Sequence, residues 1–303
     1  MPTYRYLHYD VFTDAPFEGN QLAVFPEPRG LSTEQMQTIA REMNFSESTF
    51  IFPPETAGTD VRMRIFTPGE ELPMAGHPTI GSTFALANLG VITPSQSTFV
   101  FGLGVGPTPV SLDWKEGRLD FAWMTQKAPE FGGEIRDRAA FANAIGISAQ
   151  DIAGPAPQSV SCGVPFLFAA LTSRRAVDSV ALDVKAFTEV CRAAGVEALP
   201  LFVFTVDRAG AGGDEAAYSR MLAPGFGITE DPATGGASGP LGCYIHKHGL
   251  LPAASLPHFI SLQGVRMRRP SRIHVSIEGE GERITRVRVG GRSVLVGEGT
   301  LQF

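Results

Sequence analysis

Three side chains in this sequence have the chemistry to move or steer a proton. Glu47 sits in Asn44-Phe45-Ser46-Glu47-Ser48-Thr49, between a helical stretch and a β-rich one. A carboxylate there is either a surface or capping group or a general acid/base. The second role asks for a pKa raised by burial in a closed, apolar cleft, so that both protonation states are within reach near neutrality. His77 directly follows Gly76 at the start of an apolar run, and either closes a structural hydrogen bond or touches a ligand. Asp231 precedes a second such run. It is either a favourable acid near a helix N-terminus or an orienting partner for a ligand hydroxyl or amine.

His77 and Asp231 belong to two copies of one pattern. Glu71 and Glu230, Pro73 and Pro232, Gly76 and Gly235, and Gly90 and Gly249 are each 159 residues apart, about half of a 303-residue chain. The spacing predicts two related halves, residues 1–127 and 128–303, each with a central helix, over 78–89 and 237–248. Pro78 suits a first helical turn, where its missing N–H costs nothing. Gly90 and Gly249 suit the left-handed position just past a helix end. If the halves pack with a pseudo-twofold, both helix N-termini point into one cleft. Their unpaired N–H groups and partial positive charge then favour an anionic substrate.

The first half reads as strands at Tyr4–Thr13 and Gln21–Phe25, then a helix over Glu34–Met43 capped by Ser32 or Thr33. Strands at Ser48–Phe52 and Arg62–Phe66 lead to the first repeated helix. Thr98–Leu103, Pro109–Asp113 and Arg118–Trp123 follow it as a meander. Lys127–Gly133 is the candidate boundary. The second half reads as a helix near Arg136–Ile145, strands at Gln158–Ser161 and Pro165–Leu171, a helix at Val184–Ala194 and a strand at Leu201–Val206. The second repeated helix and strands at Arg272–Ile277 and Arg283–Val289 complete it. Strands come in runs instead of alternating with helices. This predicts an α+β fold of two mostly antiparallel sheets, each rolled around a helix.

Composition narrows the setting. With 43% hydrophobic and 18% charged residues the chain can bury a sizeable core, and its net charge of −6 argues against general nucleic-acid affinity. The late arginines, Arg266 to Arg292, are interleaved with Val and Ile and read as solvated strand faces. No secretory signal or membrane-spanning run is visible, and Cys162, Cys191 and Cys243 read as buried free thiols, so a cytoplasmic protein is expected. Gly102-Leu-Gly104-Val-Gly106 lacks the context of a dinucleotide fingerprint, and Gly210-Ala-Gly212-Gly213 lacks the lysine of a phosphate loop and reads as a connection. The six histidines show no zinc-ligand spacing, and no metal is expected.

The motifs taken together resemble the phenazine biosynthesis-like (PhzF-like) isomerase family over essentially the whole chain. They are Asp10-Val-Phe-Thr-Asp14 with Gly19-Asn20, Arg41-Glu-Met-Asn44-Phe-Ser46-Glu47-Ser48-Thr49-Phe50, and Arg64-Ile-Phe66-Thr-Pro68. They continue with Glu71-Leu-Pro73-Met-Ala75-Gly76-His77-Pro78, Glu230-Asp231-Pro232-Ala233-Thr234-Gly235, Leu262-Gln263-Gly264 and Arg269-Pro270-Ser271. The resemblance implies a diaminopimelate epimerase-like fold with the site between the halves, no cofactor, and a homodimer. It implies an isomerase like the one that converts trans-2,3-dihydro-3-hydroxyanthranilate. By position, Glu47 matches the family's acid/base and His77 and Asp231 its substrate-orienting pair. Gly76, Ser46, Gly235 and Gly236 complete the implied substrate contacts.

Two departures stand out. None of the three cysteines falls where the thiol racemases of this fold carry theirs. Gly236 occupies the place where the family's second motif commonly has a serine that contacts the ligand's carboxylate, with Ser238 nearby. The expected activity is proton transfer between carbons of a small carboxylated cyclic metabolite. The alternatives are a non-catalytic binding or scaffold protein of the same fold, and an epimerase or lyase using the same glutamate.

Overall fold

The computed structural model describes residues 1–206, 215–226, 228–280 and 283–303. Two buried helices, Gly76–Asn88 and Gly235–Lys247, form the axes of two rolled sheets, and their first and last residues are 159 positions apart. Both are buried nearly all round, which explains why neither carries a polar stripe.

The first sheet runs Thr3–Val11, Asn20–Phe25, Glu47–Phe52, Val61–Phe66, Thr98–Leu103, Gly106–Lys115 and Arg118–Gln126. Its second and fourth joints are parallel and the others antiparallel. The second sheet runs Gln158–Ser161, Pro165–Ala170, Leu201–Val206, Glu215–Ala223, Phe259–Gln263, Ser271–Glu280 and Arg283–Gly291. It places its parallel joints at the same two steps. Arg118–Gln126 pairs antiparallel with Arg283–Gly291, so the two sheets are one ribbon rolled twice. Each roll closes its own apolar core on its helix, around Leu22, Ile80 and Phe101 in one and Phe168, Leu241 and Val275 in the other. Among the described residues no helix is long and apolar enough to cross a membrane.

Local chemistry explains the element ends that matter for the site. Ser32 and Gln35 form a reciprocal capping box that starts the helix Thr33–Met43. Asn44 ends it in the left-handed conformation, which turns the chain directly into the strand Glu47–Phe52. Gly90 and Gly249 have φ of 73° and 58°, as a left-handed helix exit requires.

Several expectations need correcting. Both central helices begin two residues earlier than the proline and alanine suggested, because Gly76-His77 and Gly235-Gly236 are themselves the first turn. The first strand stops at Val11, since Phe12 turns to φ 65°. The stretch 127–133 contains the start of a strand, Glu130–Glu134, whose Gly132-Gly133 pair reads locally as a turn but pairs with Gln158–Ser161. The late arginines do stand on solvated faces, with Arg272, Arg283, Arg286 and Arg292 exposed, and the half-buried Arg269 departs from this by reaching Asp10. The expected connection at Gly210–Gly213 lies outside the described residues.

Candidate active site

Glu47 opens its strand opposite Leu22, and this register brings it to the N-terminal end of the first central helix. It is 9% exposed, and its Oε2 lies 3.3 Å from Nε2 of His77, the second residue of that helix. The contact lacks hydrogen-bond geometry, and among the described residues neither atom has a hydrogen-bond partner. Burial, and next the charge of Asp231, push the Glu47 carboxyl well above its ordinary 4.5. Burial lowers His77 to about 3, against the raising effect of a hydrogen bond to the Gln21 backbone. His77 is therefore neutral near pH 7, and the raised Glu47 carboxyl faces an uncharged imidazole, so the pair is not two ions.

Asp231, 4% exposed, comes from the other half and is held by three donors. Asn20 Nδ2 and Ser46 Oγ donate to Oδ1 at 2.8 and 2.7 Å, and Thr234 Oγ1 donates to Oδ2 at 2.6 Å. Burial raises the Asp231 carboxyl and these bonds pull it down. The Asn20 amide has two hydrogens. One goes to Asp231 and the other to the Ala233 carbonyl at 2.9 Å, so the His77 Nδ1 atom 3.2 Å away keeps its own hydrogen for the Gln21 backbone.

The helix termini complete the site. Neither helix is capped by a side chain: Ala75 has nothing to offer, and Thr234 commits its hydroxyl to Asp231. The first-turn N–H groups at Gly76-His77 and Gly235-Gly236 thus remain available where both helices meet. The cavity between them has a volume of about 80 Å³. Glu47, His77, Asp231 and Thr234 line it together with the apolar Met74, Val164, Phe166, Met221 and Ile228. A far larger groove, about 990 Å³, lies beside Gly132–Asp137 but contains no buried titratable side chain.

All the singled-out residues come together here except that Ser46 reaches the site through Asp231 without lining the cavity. Ser238 does not replace a serine at 236, since its hydroxyl donates back to the Thr234 carbonyl at 2.9 Å. Asn20, Thr234 and Gln263 were not singled out as site residues. Gln263 Nε2 donates to the Asp231 carbonyl and to Thr234 Oγ1, and its Oε1 accepts from Thr234 N. All three lie inside the motifs quoted above, which is the one signal that marked them. Cys162 and Cys243 approach to 3.9 Å within the second core, and neither lines the cavity.

A neutral buried His77 makes the fold acid-sensitive. Between pH 6.5 and about 3 the unfolded chain binds a proton that the folded one does not, so stability falls as pH falls through that window. At pH 4 the loss relative to pH 7 is on the order of 3 kcal/mol. Urea unfolding of wild type and His77→Gln at both pH values checks this: the variant should lose less, and equal losses would refute it.

Comparison with known proteins agrees with this architecture. A trans-2,3-dihydro-3-hydroxyanthranilate isomerase from Pseudomonas aeruginosa is 35% identical, with 98% of each chain covered. An uncharacterized isomerase from Mesorhizobium japonicum is 34% identical over 99% of each. The crystal structure of a Bacillus anthracis phenazine biosynthesis protein of the PhzF family superposes with a TM-score of 0.86 at 25% identity, covering 100% of both chains. The family model for phenazine biosynthesis-like proteins matches residues 9–299, and this chain belongs to that family.

Proposed function

We propose that this isomerase moves a proton between two carbons of a small carboxylated cyclic metabolite, without a cofactor, and that Glu47 carries the proton. The observation that carries the proposal is the Glu47 carboxyl itself. It is buried, raised in pKa, and faces an imidazole nitrogen that offers a lone pair and no charge. In its ionised form Glu47 removes an acidified C–H proton, and in its acid form it returns that proton elsewhere on the same face of the ligand. His77 and Asp231 fix the ligand's polar substituents. The free N–H groups at Gly76-His77 and Gly235-Gly236 receive the carboxylate, onto which charge spreads in the transition state. A cavity of about 80 Å³ is small beside the roughly 300 Å³ and more of most ligand pockets. Met74 and Met221, unbranched and soft, are the wall residues best able to yield to a ring. A homodimeric state, implied by the family resemblance, is part of the proposal and is read by sedimentation.

The test is proton NMR of trans-2,3-dihydro-3-hydroxyanthranilate incubated with the protein in D₂O. Isomerisation is the expected result. An unchanged spectrum would overturn this substrate and direct the search to other carboxylated rings.

A further inference from the structure

Asn20 is the donor to Asp231 that needs outside support. It opens the strand Asn20–Phe25, opposite Val11, directly after the loop 12–19, in which Phe12 and Phe17 hold φ values of 65° and 70°. Such values cost a side-chain-bearing residue about 1–3 kcal/mol each and persist only where the surroundings impose them. Phe12 is fixed between the Arg292 carbonyl and the Arg272 N–H, both at 2.8 Å, and two other residues hold Phe17 and the end of the loop. Asp10, 1% exposed, accepts from the Phe17 N–H through Oδ2 at 2.7 Å and from Arg269 Nη2 through Oδ1 at 2.6 Å. Arg269 also donates to the Glu18 carbonyl at 2.7 Å and, through Nε, to the Gly19 carbonyl at 2.8 Å. Gly19 N–H returns a bond to the Pro270 carbonyl at 3.1 Å.

Arg269 belongs to the turn that starts at Gly264 and closes on itself through Arg269 N–H and the Gly264 carbonyl. Gln263, immediately before that turn, holds the Asp231 peptide and Thr234. One turn of the second half therefore grips Asp231 at one end and the loop that delivers Asn20 at the other.

We propose that Arg269, acting through Asp10 and the loop 12–19, is a positioning residue that keeps the Asn20 amide on Asp231. This rests on the reading that Asp231 orients the substrate, and it adds a residue that touches neither substrate nor cavity. Lysine cannot do the same job, because the guanidinium serves one carboxylate and two carbonyls from a fixed plane. Detaching Arg269 should let the loop relax at Phe17–Gly19, shift the Asn20 side chain and leave Asp231 with two donors. Glu47, neutral His77 and Glu230 also face Asp231, and Glu230 is taken up by Arg220 at 2.8 Å. None of them replaces the lost N–H.

The test is carbon-13 NMR titration of the Asp231 carboxyl in the ligand-free protein, for wild type, Asn20→Ala, Arg269→Gln and Arg269→Lys, with thermal unfolding alongside. Asn20→Ala and Arg269→Gln should both move the Asp231 titration upward, with Arg269→Lys between them and wild type. The acid limb of kcat/KM should move the same way, with a fall of about tenfold at neutral pH, the effect of one hydrogen bond to a charged group. A lower melting temperature in Arg269→Gln or Arg269→Lys with an unmoved Asp231 titration would reduce Arg269 to a structural tie and overturn the proposal. The NMR readout needs no substrate, so failure of the substrate assignment leaves it intact.

Discussion

Glu47→Gln is expected to be inactive and yet more stable than wild type at neutral pH. Turnover should fall by at least about 10⁴-fold, the upper range for one positioned acid/base, because among the described residues no second group lining the cavity is suited to take the proton. His77 is held neutral by burial, and Asp231 already accepts three hydrogen bonds. Ligand binding should survive, since the amide keeps the size of the carboxyl and the helix termini are untouched. Stability moves the other way for an electrostatic reason. The folded Glu47 resists ionisation while the unfolded one ionises from about 4.5 upward, so wild type loses stability as pH rises through that value. Glutamine has no such penalty, and its N–H can meet the His77 Nε2 lone pair. Denaturant unfolding at pH 4 and pH 8 should show the variants equal at the lower pH and Glu47→Gln ahead at the higher. Retained turnover with lost binding, or no gain at pH 8, would show that Glu47 is not a buried proton carrier.

How far the sequence discloses this molecule depends on where the determining contacts lie. The central helices are legible because the signals at their two ends are local: glycine-bearing starts, Pro78, and glycines one step past the last turn. Strands such as Thr98–Leu103 and Leu201–Val206, and the helix Val184–Ala194, occur at the expected residues for the same reason. Glu215–Ala223 is different. It is buried along nearly its whole length, so it lacks the alternation that marks a half-exposed strand, and Arg220 within it looks like surface. That arginine is buried because Glu230 and three carbonyls ending the helix Arg174–Ser179 satisfy it. Ser293–Gln302 carries two glycines and becomes a strand by pairing with Thr3–Val11 at the far end of the chain.

The site divides along the same line. Residue type makes Glu47, His77 and Asp231 candidates, and only the run of motifs around them favours the functional reading of each. Asn20 and Gln263 are ordinary amides until the halves meet. Asn20 is 211 residues from Asp231, and nothing in its neighbourhood records that partner. The diaminopimelate epimerase-like fold supplies that meeting by joining two rolls through two strand pairs, Arg118–Gln126 with Arg283–Gly291 and Thr3–Val11 with Ser293–Gln302, and the helix N-termini abut between the rolls.

That abutment makes two neighbouring glycines unequal. A Cβ on Gly76 would lie 2.4 Å from the backbone carbon of Gly235 and 2.5 Å from Gly236 N, so Gly76→Ala must push one helix start away from the other. Backbone atoms cannot rotate aside as a side chain can. The expected cost is about 3 kcal/mol of stability, the upper range for overpacking. A shift near 1 Å in the N–H groups and in His77 costs roughly 100-fold in kcat/KM. Gly236→Ser should do almost the opposite. Its Cβ would meet the Phe166 ring at 3.8 Å and Gly76 N at 4.0 Å, which are ordinary contacts, and serine favours a helical backbone over glycine by a few tenths of a kcal/mol. The fold should be unharmed, and a hydroxyl would enter the cavity beside the helix N-terminus. One added bond to a substrate carboxylate should lower KM about tenfold. Melting temperatures and kinetics of the two variants, measured together, decide the matter. Equal damage from both would mean that the helix starts are mobile and that their contact does not set the site. An undamaged fold in Gly236→Ser with no change in KM would mean that the carboxylate is received elsewhere.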